Sequence, residues 1–406
     1  MKLFFTLICY LMTLPLFAQK RNERMAVDRE KNPGRARLIT SFPFKQFTGG
    51  VMVVQGRVDK YPDTLNFILD TGSSGISLDS TTCARLKIPS VLSDKYIRGI
   101  GGIKRVAFAN DNTLLLPGLR IDSLDFHIND YELLSEVYGV QIDGIIGYSF
   151  LKRYIVRLDF DSLSVSVFTP GEFNYGRYGE LLKPATGLIP VIDAPVRNGV
   201  KVNARYYFDM GAGLCLLLSD QFVKDSSILR RKQRRRKIIT TEVQGLIGKM
   251  RMQLTTIQEI KIGDYTFHNI PTYTFDDISN VTAYPFLGGL VGNDLLRRFN
   301  VTLNYPAREI FIQPNSHFRD QFDYSYTGLI IYFIDGKVQV TDVIKGSPAD
   351  KAGFLAGDIV VSVNNNFSNN IQTYRELLKE AGTKATVIIA RNGQPMEKKL
   401  PIKRIL

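Results

Sequence analysis

A chain of 406 residues is long enough for two or three domains, and 44% hydrophobic with 22% charged residues is ordinary for a globular protein with sizeable cores. Tyr, Phe, Val, Ile and Thr are plentiful while long helical periodicities are few, so the composition predicts a mainly β protein. The net charge of +13 is compatible with binding to a nucleic acid, but the sequence has no nucleic-acid-binding motif, and we expect no such partner.

The chain begins with the pattern of a secretory signal peptide. One positive charge is followed by a short apolar run over residues 3–17 and by the small residue Ala18. A membrane anchor is the alternative, but the run is short for a full span, and the residue before Cys9 is too large for a lipidation site. We expect cleavage of residues 1–18, a flexible segment over 19–36, and export to a bacterial periplasm or secretion, without stable membrane insertion.

Two strand-like apolar stretches each run into Asp-X-Gly, which is the first sign of an internal repeat. The two copies are Asp70-Thr71-Gly72-Ser73 and Asp209-Met210-Gly211-Ala212. Downstream, the segments 144–147 and 289–292 both read Gly-apolar-apolar-Gly, align without a gap, and continue into a short helix and a strand. A glycine-rich segment lies between the landmarks in each copy. The order predicts two related halves, residues 37–180 and 181–316.

The basic run at residues 230–237 holds seven cations in eight residues, which repel one another and resist packing. It lies where the second copy is longer than the first, between Asp209 and Gly245, so it has the position of an insertion. We predict a solvated surface loop. Contact with an anionic surface and a site of proteolytic nicking stay open as its role.

Cys83 and Cys215 remain once the signal peptide is removed. Two cysteines in an exported chain could pair, but each is equally explained as a small buried hydrophobe. The repeat gives no reason for the two to meet, so their pairing is left open.

The Asp-Thr-Gly sequence at Asp70, with Gly-Ile-Ile-Gly downstream, resembles the aspartic peptidases, and the doubled arrangement is similar to their single-chain, pepsin-like form. The resemblance covers residues 40–315. It implies two pseudo-symmetric β lobes and a polypeptide substrate, with Asp70 and Asp209 as the catalytic pair. Two carboxylates held about 3 Å apart cannot both ionise cheaply, so they share a proton; one takes a proton from water while the other polarises the scissile carbonyl. Such chemistry requires no metal or cofactor, and the three histidines have no metal-ligand spacing.

The resemblance also assigns supporting residues around the pair. Thr71 is expected to hydrogen-bond across to the opposite loop and Ser73 to bond the Asp70 carboxylate, whereas their counterparts Met210 and Ala212 have no hydroxyl. Gly72 and Gly211 would allow close approach of the backbone. The weaker second copy leaves open a catalytically inactive, peptide-binding protein as the alternative to an enzyme.

The glycine-rich segments resemble flaps that close over a bound peptide. Ordinary flexible hairpins are the alternative, and the Gly-apolar-apolar-Gly segments are expected to cross behind the catalytic loops. The flap and substrate-binding residues are Gly99, Ile100, Gly101 and Gly102 in the first half and Gly245 and Gly248 in the second.

From about residue 325 to residue 406 the sequence resembles a bacterial PDZ domain, on the pattern Ser347-Pro348 followed by Gly353 and Gly357-Asp358. PDZ domains add an extended peptide, or its C-terminus, between a sheet edge and a helix. The resemblance assigns that edge to Gly328, Leu329, Ile330 and Ile331, and the other wall to a helix over 371–378. The alternative is a groove that docks on the peptidase body. We expect a monomer, because one chain supplies both halves: an exported aspartic endopeptidase whose PDZ domain binds peptide or regulates access.

Overall fold

The computed structural model describes residues 34–99, 102–229, 238–245, 248–322, 324 and 326–406. The predicted signal peptide, most of the segment 19–36, the flap residues Ile100 and Gly101, and the basic run 230–237 lie outside the described residues. The chain is mainly β, as the composition predicts, and it ends in a PDZ domain. Within the described part, no helix is long and apolar enough to cross a membrane.

The first half is built from strands, three short helices and one 3-10 turn at Thr48–Gly50. In chain order its elements are β1 (Leu38–Pro43), β2 (Lys45–Gln46), β3 (Met52–Val58), β4 (Leu65–Leu69), β5 (Ile76–Asp79), α1 (Ser80–Leu86), β6 (Val91–Gly99), β7 (Gly102–Leu116), β8 (Leu119–Asn129), α2 (Glu132–Tyr138), β9 (Gly144–Ile146), α3 (Tyr148–Leu151), β10 (Ile155–Asp159) and β11 (Ser164–Phe168).

The second half follows through two short strands, β12 (Glu180–Leu182) and β13 (Ala185–Thr186). Its elements are β14 (Pro190–Asp193), β15 (Val196–Asn198), β16 (Val200–Val202), β17 (Arg205–Asp209), β18 (Leu216–Ser219), α4 (Asp220–Ser226), β19 (Ile239–Gly245), β20 (Gly248–Ile262), β21 (Tyr265–Phe275), β22 (Gly289–Gly292), α5 (Asn293–Leu296), β23 (Phe299–Asn304) and β24 (Glu309–Pro314). The stretch 190–202 thus holds three short strands.

The two halves share one sheet topology. The order β4-β9-β5-β8-β7 in the first is matched by β17-β22-β18-β21-β20 in the second. In both, the Gly-apolar-apolar-Gly strand lies between its neighbours, parallel to one and antiparallel to the other. A further sheet, β1-β11-β10-β23-β24-β12, joins the halves through the antiparallel pair β10 and β23. Internal duplication remains a hypothesis, and this shared order of strands supports it.

The C-terminal module forms a sheet of its own, with the strand order β25-β26-β27-β28-β29. Ser347 caps a short helix by accepting a hydrogen bond from the Asp350 N–H (3.2 Å), as its sequence position suggests. The elements are β25 (Leu329–Ile334), β26 (Lys337–Val343), α6 (Pro348–Lys351), β27 (Ile359–Val363), α7 (Ile371–Leu377), β28 (Lys384–Arg391) and β29 (Gln394–Pro401). Because β25 is an edge strand, one side of it is available to other parts of the chain.

Arg298 is buried beneath the second half, although arginine is rarely found there without partners. Its guanidinium donates to the carbonyl oxygens of His317 (3.3 Å), Asp320 (2.6 Å) and Gln321 (3.2 Å). It thereby holds the segment that leads toward the C-terminal module. Arg153, aligned with Arg298 by the repeat, also binds carbonyl oxygens but is only half-buried.

Arg298→Leu is expected to lower the free energy of unfolding by about 3 kcal/mol, because three part-buried carbonyl oxygens would lose their donor and the buried contacts of the guanidinium would be lost. Denaturant unfolding of the full chain measures this change. Arg153→Leu is the matched control, and its cost should be clearly smaller, since water can reach the carbonyl groups that Arg153 binds. Equal costs for the two variants would contradict a special role of Arg298.

Candidate active site

The two aspartates stand at the ends of equivalent strands. Asp70 follows β4, and its N–H donates to the Ile146 carbonyl of β9 (2.9 Å). Asp209 ends β17 and is paired with Gly292 of β22. Because each Gly-apolar-apolar-Gly strand runs beside the strand that carries the aspartate, it supports the loop from behind. The structure thus brings Asp70 and Asp209 together in one cleft, close enough for the charge of Asp209 to raise the pKa of Asp70.

Main-chain N–H groups hold each carboxyl group in place. Gly72 N–H donates to Asp70 Oδ1 (2.6 Å), and the nearby Ser73 N–H also lowers the pKa of this carboxyl group. In the second loop, the N–H groups of Gly211 (2.9 Å) and Ala212 (3.0 Å) donate to Asp209 Oδ1. The two carboxyl groups are therefore anchored in the same way, although Ala212 lacks a hydroxyl.

The glycine of each loop lies directly under the aspartate of the other loop. A methyl group on Gly72 would overlap the Asp209 carboxyl group, and one on Gly211 would overlap that of Asp70. The absence of a side chain at both positions is what allows the two loops to approach until the carboxyl groups meet.

Thr71 joins the two loops, as the resemblance implies. Its buried hydroxyl donates to the Phe208 carbonyl (2.6 Å) and accepts from the Met210 N–H (2.9 Å). Met210 is itself fully buried, and its side chain has no hydroxyl to return the contact. One threonine therefore supplies the side-chain hydroxyl that braces the two loops.

Thr71→Val is expected to lower kcat at least about tenfold and to destabilise the chain by about 2 kcal/mol, because two buried main-chain groups of the second loop lose their partner. Thr71→Ser keeps the hydroxyl, so its kcat and its stability should stay close to those of the wild type. Peptide-cleavage kinetics and denaturant unfolding measure the two effects. A valine variant as active as the serine variant would show that the brace does not position the pair.

Burial raises the pKa of Asp70 well above its ordinary value, and the negative charge of Asp209 raises it further. The N–H groups of Gly72 and Ser73 lower this pKa, but their effect is smaller. Burial likewise raises the pKa of Asp209, while the N–H groups of Gly211 and Ala212 and the Asp70 carboxyl group pull it down. One proton therefore stays on the pair at a pH at which a free aspartate is ionised.

Asp70→Asn is expected to raise the free energy of unfolding at neutral pH. Since the pKa of Asp70 is higher in the folded state, its contribution is fully present below the ordinary aspartate pKa of about 3.9 and is lost as the pH rises through the folded value. The asparagine side chain does not ionise, so the variant does not lose this stability as the pH rises. Denaturant unfolding from pH 3 to 8 should show an advantage of the variant that grows with pH; a difference independent of pH would contradict it.

The pair lies in a cleft of about 530 Å³, which is ample for a ligand. Gly72, Gly211 and Gly99 line it, as do Arg98, Tyr207, Met252, Tyr273 and Leu290. Its walls come from three further segments, which are α2 (Leu134, Val137 and Tyr138), the loop Asn280 to Ala283, and β25 (Ile330 and Tyr332). Among the described lining residues, Arg98 is the only charged one besides the two aspartates, so the cleft suits an apolar, extended ligand.

Both glycine-rich segments form hairpins. Gly99 pairs with Gly102 at the end of β6 and β7, and Gly245 pairs with Gly248 at the end of β19 and β20. Gly99 reaches the cleft, which fits a flap over the aspartates. Ile100 and Gly101 lie outside the described residues.

The PDZ residues assigned from the sequence are divided between two environments. Gly328 precedes β25 with φ 75°, and Leu329 and Ile331 point into the core of the module. Ile330 instead lines the cleft that contains Asp70 and Asp209. The groove between β25 and α7, where we expected a foreign peptide, contains the end of α2 from the chain itself.

Other candidate chemistry finds little support. Cys83 and Cys215 are both free and buried, so the structure does not pair them. Within the described part of the chain, no cluster of His, Cys, Asp or Glu side chains could hold a metal ion.

Sequence reasoning missed the α2 and Asn280–Ala283 walls of the cleft. Both segments lie just before a Gly-apolar-apolar-Gly strand, so the repeat itself could have indicated that they are equivalent. The place of Ile330 and Tyr332 in the cleft had no signal in the sequence, because it depends on how two distant modules dock.

Residues 54–150 match the aspartyl protease family model, and residues 339–391 match the PDZ domain model. The first match contains Asp70 and the strand β9 but ends before Asp209. No curated protein matches the chain. The protein thus contains an aspartyl protease domain and a C-terminal PDZ domain, a combination that fits the binding of peptide substrates.

Proposed function

We propose that the protein is an aspartic endopeptidase that hydrolyses peptide bonds with water activated between Asp70 and Asp209. One observation carries the proposal: the two carboxyl groups meet at a cleft, each against the glycine of the opposite loop, and each accepts hydrogen bonds from main-chain N–H groups of its own loop. This geometry keeps one proton on the pair, as general acid–base catalysis by two carboxyl groups requires.

In the proposed reaction, the ionised member of the pair takes a proton from a water molecule as the oxygen attacks the scissile carbonyl carbon. The protonated member donates a hydrogen bond to the carbonyl oxygen, where negative charge develops. Proton transfer to the leaving nitrogen then completes the cleavage. The protons belong to the pair, so neither role is assigned to one aspartate.

The alternative is an inactive peptide-binding protein, suggested by Met210 and Ala212 in the second loop. The contacts favour the enzyme, because the Ala212 N–H anchors Asp209 without a side-chain hydroxyl and the Met210 N–H still receives the Thr71 brace. Met210 and Ala212 thus both provide the main-chain N–H groups that hold the second loop and the Asp209 carboxyl group in place.

The test is incubation of a reduced, unfolded protein with the full chain between about pH 3 and 8, with products identified by mass spectrometry. Internal cuts that require both aspartates support the peptidase. Absence of cleavage at every pH, with retained binding of the polypeptide, would establish the alternative.

We further propose that the protein is exported to a periplasm or the medium, acts there on exported or envelope polypeptides, and works as a monomer. The support for export is the signal-peptide pattern of residues 1–18. Cell fractionation, and N-terminal sequencing of the mature chain for a start near Gln19, test it.

A further inference from the structure

The PDZ module is fastened to the protease domain through the groove that would otherwise receive a peptide. On α7, Gln372 Nε2 donates to the Tyr138 carbonyl (3.0 Å), and Arg375 donates to the Val137 carbonyl (2.7 Å). Arg375 also donates to the Ile331 carbonyl of β25 (2.7 Å), so one side chain ties both walls of the groove to α2. The Thr48 N–H and hydroxyl donate to Gln372 Oε1.

Gly139 shows how closely the groove fits its occupant. It ends α2 with φ 71°, and a methyl group there would overlap Ile371 of α7 and touch Phe333 of β25. A glycine at this position therefore both ends the helix and allows it to enter the groove. The groove is filled by the protein itself, which fixes β25 against the catalytic cleft.

Successive side chains of β25 point to opposite faces of the strand, and this alternation determines which residues of the PDZ module line the cleft. Leu329 and Ile331 point into the core of the module. Ile330 and Tyr332, on the opposite face of the strand, line the same cleft as Asp70 and Asp209. Leu134 and Val137 line the same cleft, so its wall is suited to an apolar side chain.

We propose that Ile330 and Tyr332 form a substrate-binding subsite, which takes a large apolar side chain of the polypeptide being cleaved. The inference rests on the proposed function and adds a substrate preference to it. In this arrangement the PDZ domain acts as a wall of the active site, with its peptide groove used to hold that wall in place. Burial of an apolar side chain against these two residues supplies the selectivity.

The experiment compares full-length Ile330→Ala and Ile330→Trp with the wild type on a peptide library that varies side-chain size at each position. We expect Ile330→Ala to lower kcat/KM at least about tenfold for peptides with a large aliphatic side chain at one position, since one methylene is worth roughly 10–200-fold in a hydrophobic pocket. Ile330→Trp should shift the preference at that same position toward small side chains.

Phe367→Ala is the matched control, because Phe367 belongs to the same module but is exposed and does not line the cleft. It should leave the preference unaltered. Thermal unfolding checks that each variant folds, and Tyr332→Phe and Ile330→Val provide milder changes if alanine prevents folding. Equal preferences in wild type, Ile330→Ala and Ile330→Trp would overturn the subsite.

A binding measurement separates this inference from the proposed function. Labelled library peptides are titrated against Asp70→Asn chains with and without the Ile330 substitutions, and fluorescence anisotropy is read. If the wild type cleaves nothing but binding still depends on Ile330 in the predicted direction, the peptidase is wrong and the subsite stands. If cleavage occurs while neither binding nor preference depends on Ile330, the peptidase stands and the subsite is wrong.

Discussion

Asp70→Asn and Asp209→Asn are each expected to lower kcat/KM for cleavage of an unfolded polypeptide by at least about 1,000-fold, within the range that general acid–base catalysis contributes. The two carboxyl groups lie together in one cleft, with Asp70 buried and Asp209 half-buried, and the pair needs one ionised and one protonated member. An amide can neither take a proton from water nor donate one to the leaving group. The double variant should lose little beyond either single variant, because the pair acts as a unit.

Asp193→Asn is the matched control for these variants. Asp193 is an exposed aspartate of β14, where it pairs with Arg205 at the far end of β17, so its substitution makes the same chemical change in the same half without touching the pair. Its activity should equal that of the wild type. Activity that survives either Asp70→Asn or Asp209→Asn would remove the peptidase assignment, and the folding of both variants is checked by thermal unfolding.

The features that the sequence predicts well are those determined by short segments. Asp-X-Gly after an apolar strand, the glycine-rich hairpins and the Ser347 cap each depend on neighbouring residues whose conformations are restricted locally. Thr71 was identified through the resemblance, and the structure gives its hydroxyl the partners that this implies.

The features that the sequence did not reveal depend on main-chain contacts and on docking. Ala212 has no side-chain hydroxyl, so the sequence suggested a weaker second loop. Its main-chain N–H, a group that every residue except proline has, nevertheless donates a hydrogen bond to Asp209. The contact of Gln372 with Thr48 joins residues that are 324 positions apart and leaves no periodic pattern. The docking depends on how the surfaces of the two folded modules fit together. The sequence therefore places Ile330 on a strand but gives no sign that it lines the cleft.

The contact between Gln372 and Thr48 also brings the PDZ module close to the catalytic loops. Thr48 begins the 3-10 turn, whose Gly49 packs against the main chain of Gly213 in the second loop. Displacement of α7 would therefore act on both the wall formed by β25 and the support of Asp209. The PDZ domain and the protease domain therefore form one structural unit around the cleft of Asp70 and Asp209.

Gly211→Ala is expected to lower kcat/KM at least about 100-fold, with a loss of stability of about 1–3 kcal/mol. The reason is steric, because the added methyl group would occupy the space of the Asp70 carboxyl group, and the two loops would have to separate. Gly72→Ala should have a similar effect through Asp209. Steady-state kinetics on a peptide substrate and denaturant unfolding measure the two quantities in the same preparations.

Gly75→Ala separates this contact from a general intolerance of the loop to alanine. Gly75 lies in the same loop as Gly72, but a methyl group there would meet only the His127 ring, at 3.5 Å, which is ordinary contact. Its activity should stay within about threefold of the wild type, since nothing near the pair has to move. Equal losses in Gly75→Ala and Gly72→Ala would show that loop flexibility, and not the close approach of the two aspartates, controls the rate.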